Sequence, residues 1–123
     1  MSLFPPIYAL LAADPTCQAL LGGTAPRVYP AGDAPETVAA PYVTWQIISS
    51  VAENVLDTTP PIDNMRVQVN CWGTEHADAE NAALAVRNVL EQSCSLIGLQ
   101  RHGRDWETRK WHIAMDFSYW LPR

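Results

Sequence analysis

His102, Asp105 and Glu107 stand close together in the chain, and a carboxylate that orients an imidazole is the simplest arrangement for general acid–base work. The same letters also describe a charged turn, which needs no catalytic role. His76 follows a residue able to cap a helix, and His112 falls on the polar side of an alternating strand pattern. In both places a histidine ordinarily serves as a surface or hydrogen-bonded side chain. Cys94 would need a depressed pKa and an open approach to act as a nucleophile, and its apolar neighbours oppose both. The GxSxG elbow, the GxxxxGK phosphate loop, the GxGxxG fingerprint and the HExxH zinc motif are all missing from the sequence. Cys17, Cys71 and Cys94 form an odd set with no CxxC or Cys/His spacing, so they read as small buried hydrophobes. The expectation is a chain that is not an enzyme, with no catalytic residue, no cofactor and no metal ligand.

The elements that would hold these residues follow from pattern and punctuation. Ser2 can cap a first helix with Pro5 and Pro6 in its opening turn, and Phe4, Ile7, Leu10 and Leu11 fall on one helical face. Asp14-Pro15 ends that helix and caps a short second one, Thr16 to Leu21, which Gly22 and Gly23 stop. Arg27-Val-Tyr is a short strand halted by Pro30; a Pro/Gly/Ala-rich loop leads to Pro41, where a strand over Tyr42–Val51 begins. On it Val43, Trp45, Ile47 and Val51 share one face, and Tyr42, Thr44, Gln46, Ile48 and Ser50 the other. Residues Glu53 to Asp63 read as a long hairpin-type loop that orders on assembly.

Met65, Val67, Val69 and Cys71 then alternate with Arg66, Gln68, Asn70 and Trp72, which predicts a strand with one apolar and one polar face. Gly73 ends it. Thr74 caps a long helix reaching about Gln92, whose apolar stripe is Ala79, Ala82, Ala83, Val86, Val89 and Leu90. Leu96–Gln100 is a short strand and Arg101 to Asp105 a turn. The last strand, Lys110–Leu121, puts Trp111, Ile113, Met115, Phe117, Tyr119 and Leu121 on one face, and Lys110, His112, Ala114, Asp116, Ser118 and Trp120 on the other. The fold class is therefore α+β: a mainly antiparallel sheet of about four to five strands with the long helix and the N-terminal helix packed on one face, in one domain over residues 1–123.

A net charge of −5 with only 17 % charged residues excludes the basic stripe that a nucleic-acid-binding module needs, and hints that part of the surface is covered by protein. The Met1-Ser-Leu-Phe-Pro-Pro start does not read as a signal peptide, and no apolar run approaches the ~20 residues of a membrane span. A soluble chain of the cytoplasm is expected. The polar sheet face is the unusual one: Arg66, Gln68, Asn70, Trp72, Asp116 and Trp120 lie on it, and two tryptophans on such a face mark a contact surface or a face covered by another part of the chain. These six residues are the candidate oligomer or partner interface. Trp72→Ala or Arg66→Glu is expected to leave the chain folded and weaken assembly.

Taken in order, Phe4-Pro-Pro-Ile-Tyr-Ala-Leu-Leu, Asp14-Pro15, Leu20-Leu-Gly, Arg27-Val-Tyr-Pro, Pro41-Tyr-Val-Thr-Trp-Gln, Arg66-Val-Gln-Val-Asn-Cys-Trp and Phe117-Ser-Tyr-Trp span nearly the whole chain. That series resembles the tail-completion, or tail-terminator, proteins of long-tailed bacteriophages and prophages. The resemblance implies a structural virion protein of the tail and neck region, assembled in the bacterial host cytoplasm. It further implies a hexameric ring that caps the head-proximal end of the tail tube, stops tube-subunit addition and docks the head connector protein. DNA would pass its lumen without specific binding, which an acidic wall suits. The alternatives are another head–tail joining or tail-tube protein, or, from a different class, a small cytoplasmic enzyme or ligand-binding domain with a deep pocket around His102, Asp105 and Glu107.

Overall fold

The computed structural model describes residues 3–52 and 62–122, and most of the expected 53–63 loop lies outside them; the first helix begins only at Ile7 with Pro6 at its cap position, so the expected cap at Ser2 with Pro5 and Pro6 in the opening turn is corrected. Three helices and five strands are found there: α1 (Ile7–Ala12), α2 (Pro15–Leu21), β1 (Val28–Pro30), β2 (Tyr42–Ala52), β3 (Ile62–Gly73), α3 (His76–Leu90), β4 (Ser95–Arg104) and β5 (Trp111–Pro122). The strands form one sheet in the order β1-β2-β3-β5-β4, with β1 parallel to β2 and every other pair antiparallel. The fold is α+β, as the alternation and the helical stripe predict.

Local chemistry explains several boundaries. The Asp14 carboxylate accepts the Cys17 amide at 2.9 Å and caps α2, while Pro15 occupies a first-turn position where no donor is needed. Gly22 closes α2 in the left-handed region at φ 107°, and its amide returns to the Gln18 carbonyl. Gly73 is required for space: a Cβ there would stand 2.6 Å from the backbone nitrogen of Ala79, so only glycine lets β3 end against the first turn of α3.

The core is built as the alternation requires. Met65, Val67, Val69 and Cys71 of β3 are at most 2 % exposed, and they join Ile113, Met115 and Phe117 of β5 and Ala79, Ala82, Val86 and Leu90 of α3 in one buried cluster. The small residues of α3 bring it close to β3 and β5, while α1 and α2 pack on α3 and add Ile7, Leu11, Cys17 and Leu21 to that cluster. Among the described residues, no helix is long and apolar enough to cross a membrane.

Four further expectations are corrected. The α3 cap is Glu75 rather than Thr74, without a side-chain hydrogen bond, and the helix ends at Leu90. Ile62 and Asp63 belong to β3, because Asp63 pairs with both Ala52 and Leu121. β4 continues through the expected Arg101–Asp105 turn to Arg104, since His102, Gly103 and Arg104 pair with Ile113, His112 and Trp111. Finally, β2 carries a bulge between Ile47 and Ser49, so Ser49 pairs with Arg66 and Val51 with Asn64. One extra residue reverses the parity of a strand. Ser50 therefore moves to the side of Met65, and Val51 joins the face expected to be polar.

Candidate interaction site

On the face of the sheet that carries Gln68 and Trp72, the three central strands align their side chains in rows. Tyr42, Trp72 and His112 are paired straight across β2, β3 and β5. Their rings stack: Tyr42 to Trp72 at 6.0 Å and 12°, Trp72 to His112 at 3.9 Å and 5°. The Trp72 indole donates to the Thr44 hydroxyl at 3.2 Å, and the Lys110 ammonium lies 4.9 Å above the Tyr42 ring. One row along, a His112 ring nitrogen meets the Asn70 side-chain oxygen at 2.7 Å. Further on, Arg66 grips Asp116 through Nε at 2.9 Å and Nη2 at 2.8 Å, Gln68 donates to the same carboxylate, and Gln46 donates to Gln68.

This geometry divides the six candidate contact residues. Asn70 and Asp116 are 6 % and 3 % exposed, so they hold the face together and are not offered to a partner. The expected open face is closed there because Asp116 meets Arg66 and Gln68 across the strands and Asn70 meets His112. Trp72 is half covered by its ring neighbours. Arg66, Gln68 and above all Trp120, 48 % exposed, remain accessible. The row that ends the face is Val51, Asn64 and Trp120, paired directly across β2, β3 and β5, with Val51 58 % exposed. Sequence alternation misses Val51, because the bulge that turns it to this side leaves no mark in the composition of the strand.

His112 is buried, and its Nδ1 has no hydrogen-bond partner among the described residues. Burial holds its imidazole below the ordinary value of 6.5, aided by the positive Arg101 and opposed by Asp105. The unfolded chain then takes up this proton more readily than the folded one, so the stability the neutral ring supports is present above about pH 6.5 and falls as the pH drops through the lower folded value. Urea midpoints at about pH 8 and about pH 5 should fall further apart in the native chain than in His112→Phe, which keeps a ring against Trp72. Equal pH dependence in the two chains would remove His112 from the acid response.

The His102, Asp105 and Glu107 group does not assemble. The Asp105 carboxylate accepts the Thr108 amide at 3.1 Å and hydroxyl at 2.8 Å, which lowers its pKa and builds the β4–β5 turn, while Glu107 is exposed. His102 turns instead to His76, 2.9 Å between their Nε2 atoms, and both rings lie against Trp111. The ring centroids are 5.1 Å apart, so the two nitrogens lie nearly on the line between them and share one proton head-on. A metal would need ~2.0–2.1 Å to each nitrogen, which that line does not allow. Among the described residues no group of three metal-binding side chains occurs. Burial raises the Cys94 thiol to about 11, leaving it without nucleophilic character at neutral pH. Beside the histidine pair runs a groove of about 370 Å³ between α3 and β4, lined by Glu80, Ala83, Leu84, Arg87, Leu99, Ile113 and Met115.

Comparison with known proteins adds to this picture of the fold. Five chains of solved structures are similar to it. One of them, from the virion of a native gene transfer agent particle, has a TM-score of 0.65 at 20 % identity, over 95 % of this chain and 92 % of its own length. It shares the fold. A search of curated proteins gives no match. Residues 5–121 match the sequence model of the tail completion protein gp17 family, and the chain belongs to that family.

Proposed function

We propose that this chain is a tail terminator: a subunit of a ring, six-membered by the family resemblance, that caps the head-proximal end of a phage tail tube, ends its growth and docks the head connector. Membership of the tail completion family over residues 5–121 carries this reading, and makes the protein a non-enzymatic structural component of a phage virion tail. Assembly with other particle proteins follows from that role. The row Val51, Asn64, Trp120 with Arg66 and Gln68 supports a contact surface on the sheet, because it sets two exposed apolar side chains among hydrogen-bonding groups. The acidic balance of −5 suits a lumen through which DNA slides without being gripped.

The test is tube growth in the presence of the protein. Purified tail-tube protein is allowed to polymerise with increasing amounts of this chain, and tube lengths are measured by electron microscopy. Stopped tubes with a ring at one end are expected. Tubes that lengthen regardless would sink the terminator reading, and open-ended polymers of this chain alone would make it a tube subunit. Trp120→Glu should stay folded and weaken capping roughly 30-fold, the effect of losing a central aromatic anchor; capping unchanged by that substitution would move the contact off this face.

A further inference from the structure

We propose that the groove between α3 and β4 receives Trp106 from a second copy of the same chain, so that the β4–β5 turn of one subunit anchors its neighbour. The proposal rests on the ring reading above and names the contact that would build such a ring.

The receiving side is an unfinished edge of the core. α3 covers β3 and β5, but β4 is the outermost strand and lies beyond it. Leu96, Leu99 and His102 pair with Phe117, Met115 and Ile113, so they stand on the same side of the sheet as those core residues; α3 reaches His102 through His76 and leaves Leu96 and Leu99 exposed. Leu99 is consequently 61 % exposed, and Leu84, across the groove on α3, 41 %. Ile113 and Met115 form the floor, and the His76–His102 pair closes one end. A volume of about 370 Å³ is near the lower limit of roughly 300–1,000 Å³ for small-ligand sites and suits one large side chain. Two bulges in β4, at Ile97 and Gln100, interrupt the backbone ladder that an added strand would need, which favours side-chain insertion over strand pairing.

The inserted side is a rigid knob. Trp106 is 82 % exposed, the most exposed large hydrophobic residue among those described. Its turn is fixed from within: the Asp105 amide donates to the Lys110 carbonyl at 2.7 Å, the Arg109 amide to the Asp105 carbonyl at 2.8 Å, and Arg104 Nε to the Arg109 carbonyl at 3.0 Å. An indole held out on an ordered turn loses little freedom on docking, which is how aromatic anchors gain affinity.

Charge identifies a second copy as the occupant. Arg101, Arg104, Arg109 and Lys110, four of the eight basic residues in the chain, cluster at this turn against Asp105 and Glu107. Glu75, Asp78, Glu80 and Glu91 lie exposed along α3 and at its two ends against Arg87, which lines the groove together with Glu80. The basic turn of one subunit thus meets the acidic helix of the next. A knob and a groove on different parts of one surface make a heterologous contact, the kind that generates rings.

Thiol pairing tests this directly, because the native cysteines are all buried. Full-length Glu107→Cys chains, which keep the Trp106 anchor beside an exposed position of the turn, and Leu99→Cys chains are mixed under mild oxidation. A covalent dimer is expected from the mixture and not from either chain alone, and Trp106→Ala should weaken self-association in sedimentation roughly 30-fold with its melting unchanged. Association without the mixed disulfide would overturn this contact while leaving the ring reading intact. A native chain that stays monomeric at every concentration would overturn it too, with the tube-length experiment then judging the terminator reading separately. If Trp106→Ala associates normally but no longer caps tubes, the groove-filling role fails and the indole contacts the tube protein.

Discussion

Phe117→Ala should destabilise the fold by about 3–5 kcal/mol, a large share of the roughly 5–15 kcal/mol that a domain of this size has to lose. Phe117 is fully buried at the crossing of three elements: it pairs with Val67 of β3 and Leu96 of β4, and it shares the core cluster with α3. Collapse into the space is restricted, because β5 is paired on both edges, with β3 and with β4. Urea unfolding would show the midpoint drop sharply at an unchanged slope. Trp45→Ala is the informative companion. Trp45 is only partly buried, touches Phe4 edge-on at 6.3 Å, and keeps an indole nitrogen without a hydrogen-bond partner among the described residues. Its loss should therefore cost clearly less than that of Phe117. Equal and negligible losses at both positions would mean that the core lies on the other side of the sheet.

Arg66→Glu is the second large effect, and it reverses the expectation drawn from the sequence. Strand alternation makes Arg66 a surface residue whose change leaves the chain folded. The structure gives it a two-point grip on Asp116, whose side chain is 5 % exposed. Glutamate there would strand a buried carboxylate and set a second one beside it. The cost should be about 3 kcal/mol, at the low end for breaking a buried pair because Arg66 itself is 41 % exposed. Arg66→Met should cost less than Arg66→Glu, since it removes the partner without adding repulsion. Melting curves for both chains decide the point, and indistinguishable curves would show that Asp116 finds its compensation elsewhere.

The contrast between these two residues shows what a linear pattern can carry. Met65 to Trp72 alternates so regularly that the core side of β3 is evident from the letters, as is the stripe of α3 and the Asp14 cap of α2. Those are properties of one element at a time. Whether the other face of a strand stays open depends on its neighbours: Asp116 and Asn70 are buried by partners far away in sequence. The same holds for His76 and His102, which meet because the end of β4 comes back beside the start of α3. Bulges are hidden for a related reason. They are decisions about register between two strands, and Ile47-Ile48-Ser49 looks like continuous strand when read alone. β4 itself is half concealed, because glycines and charged residues at an exposed edge look like a turn.

The three thiols carry one more consequence. Cys17 in α2, Cys71 in β3 and Cys94 just beyond α3 are all buried, and burial raises their pKa values to about 12, 12 and 11. Each is therefore silent toward alkylating reagents until its own surroundings open, and they are spread over the helical layer, the central sheet and the junction to the edge strand. The rate at which each is labelled is a clock for that region alone. Cys17 modified ahead of Cys71 would reveal the small helices lifting away while the sheet endures, whereas a common rate would show a molecule that comes apart as one unit.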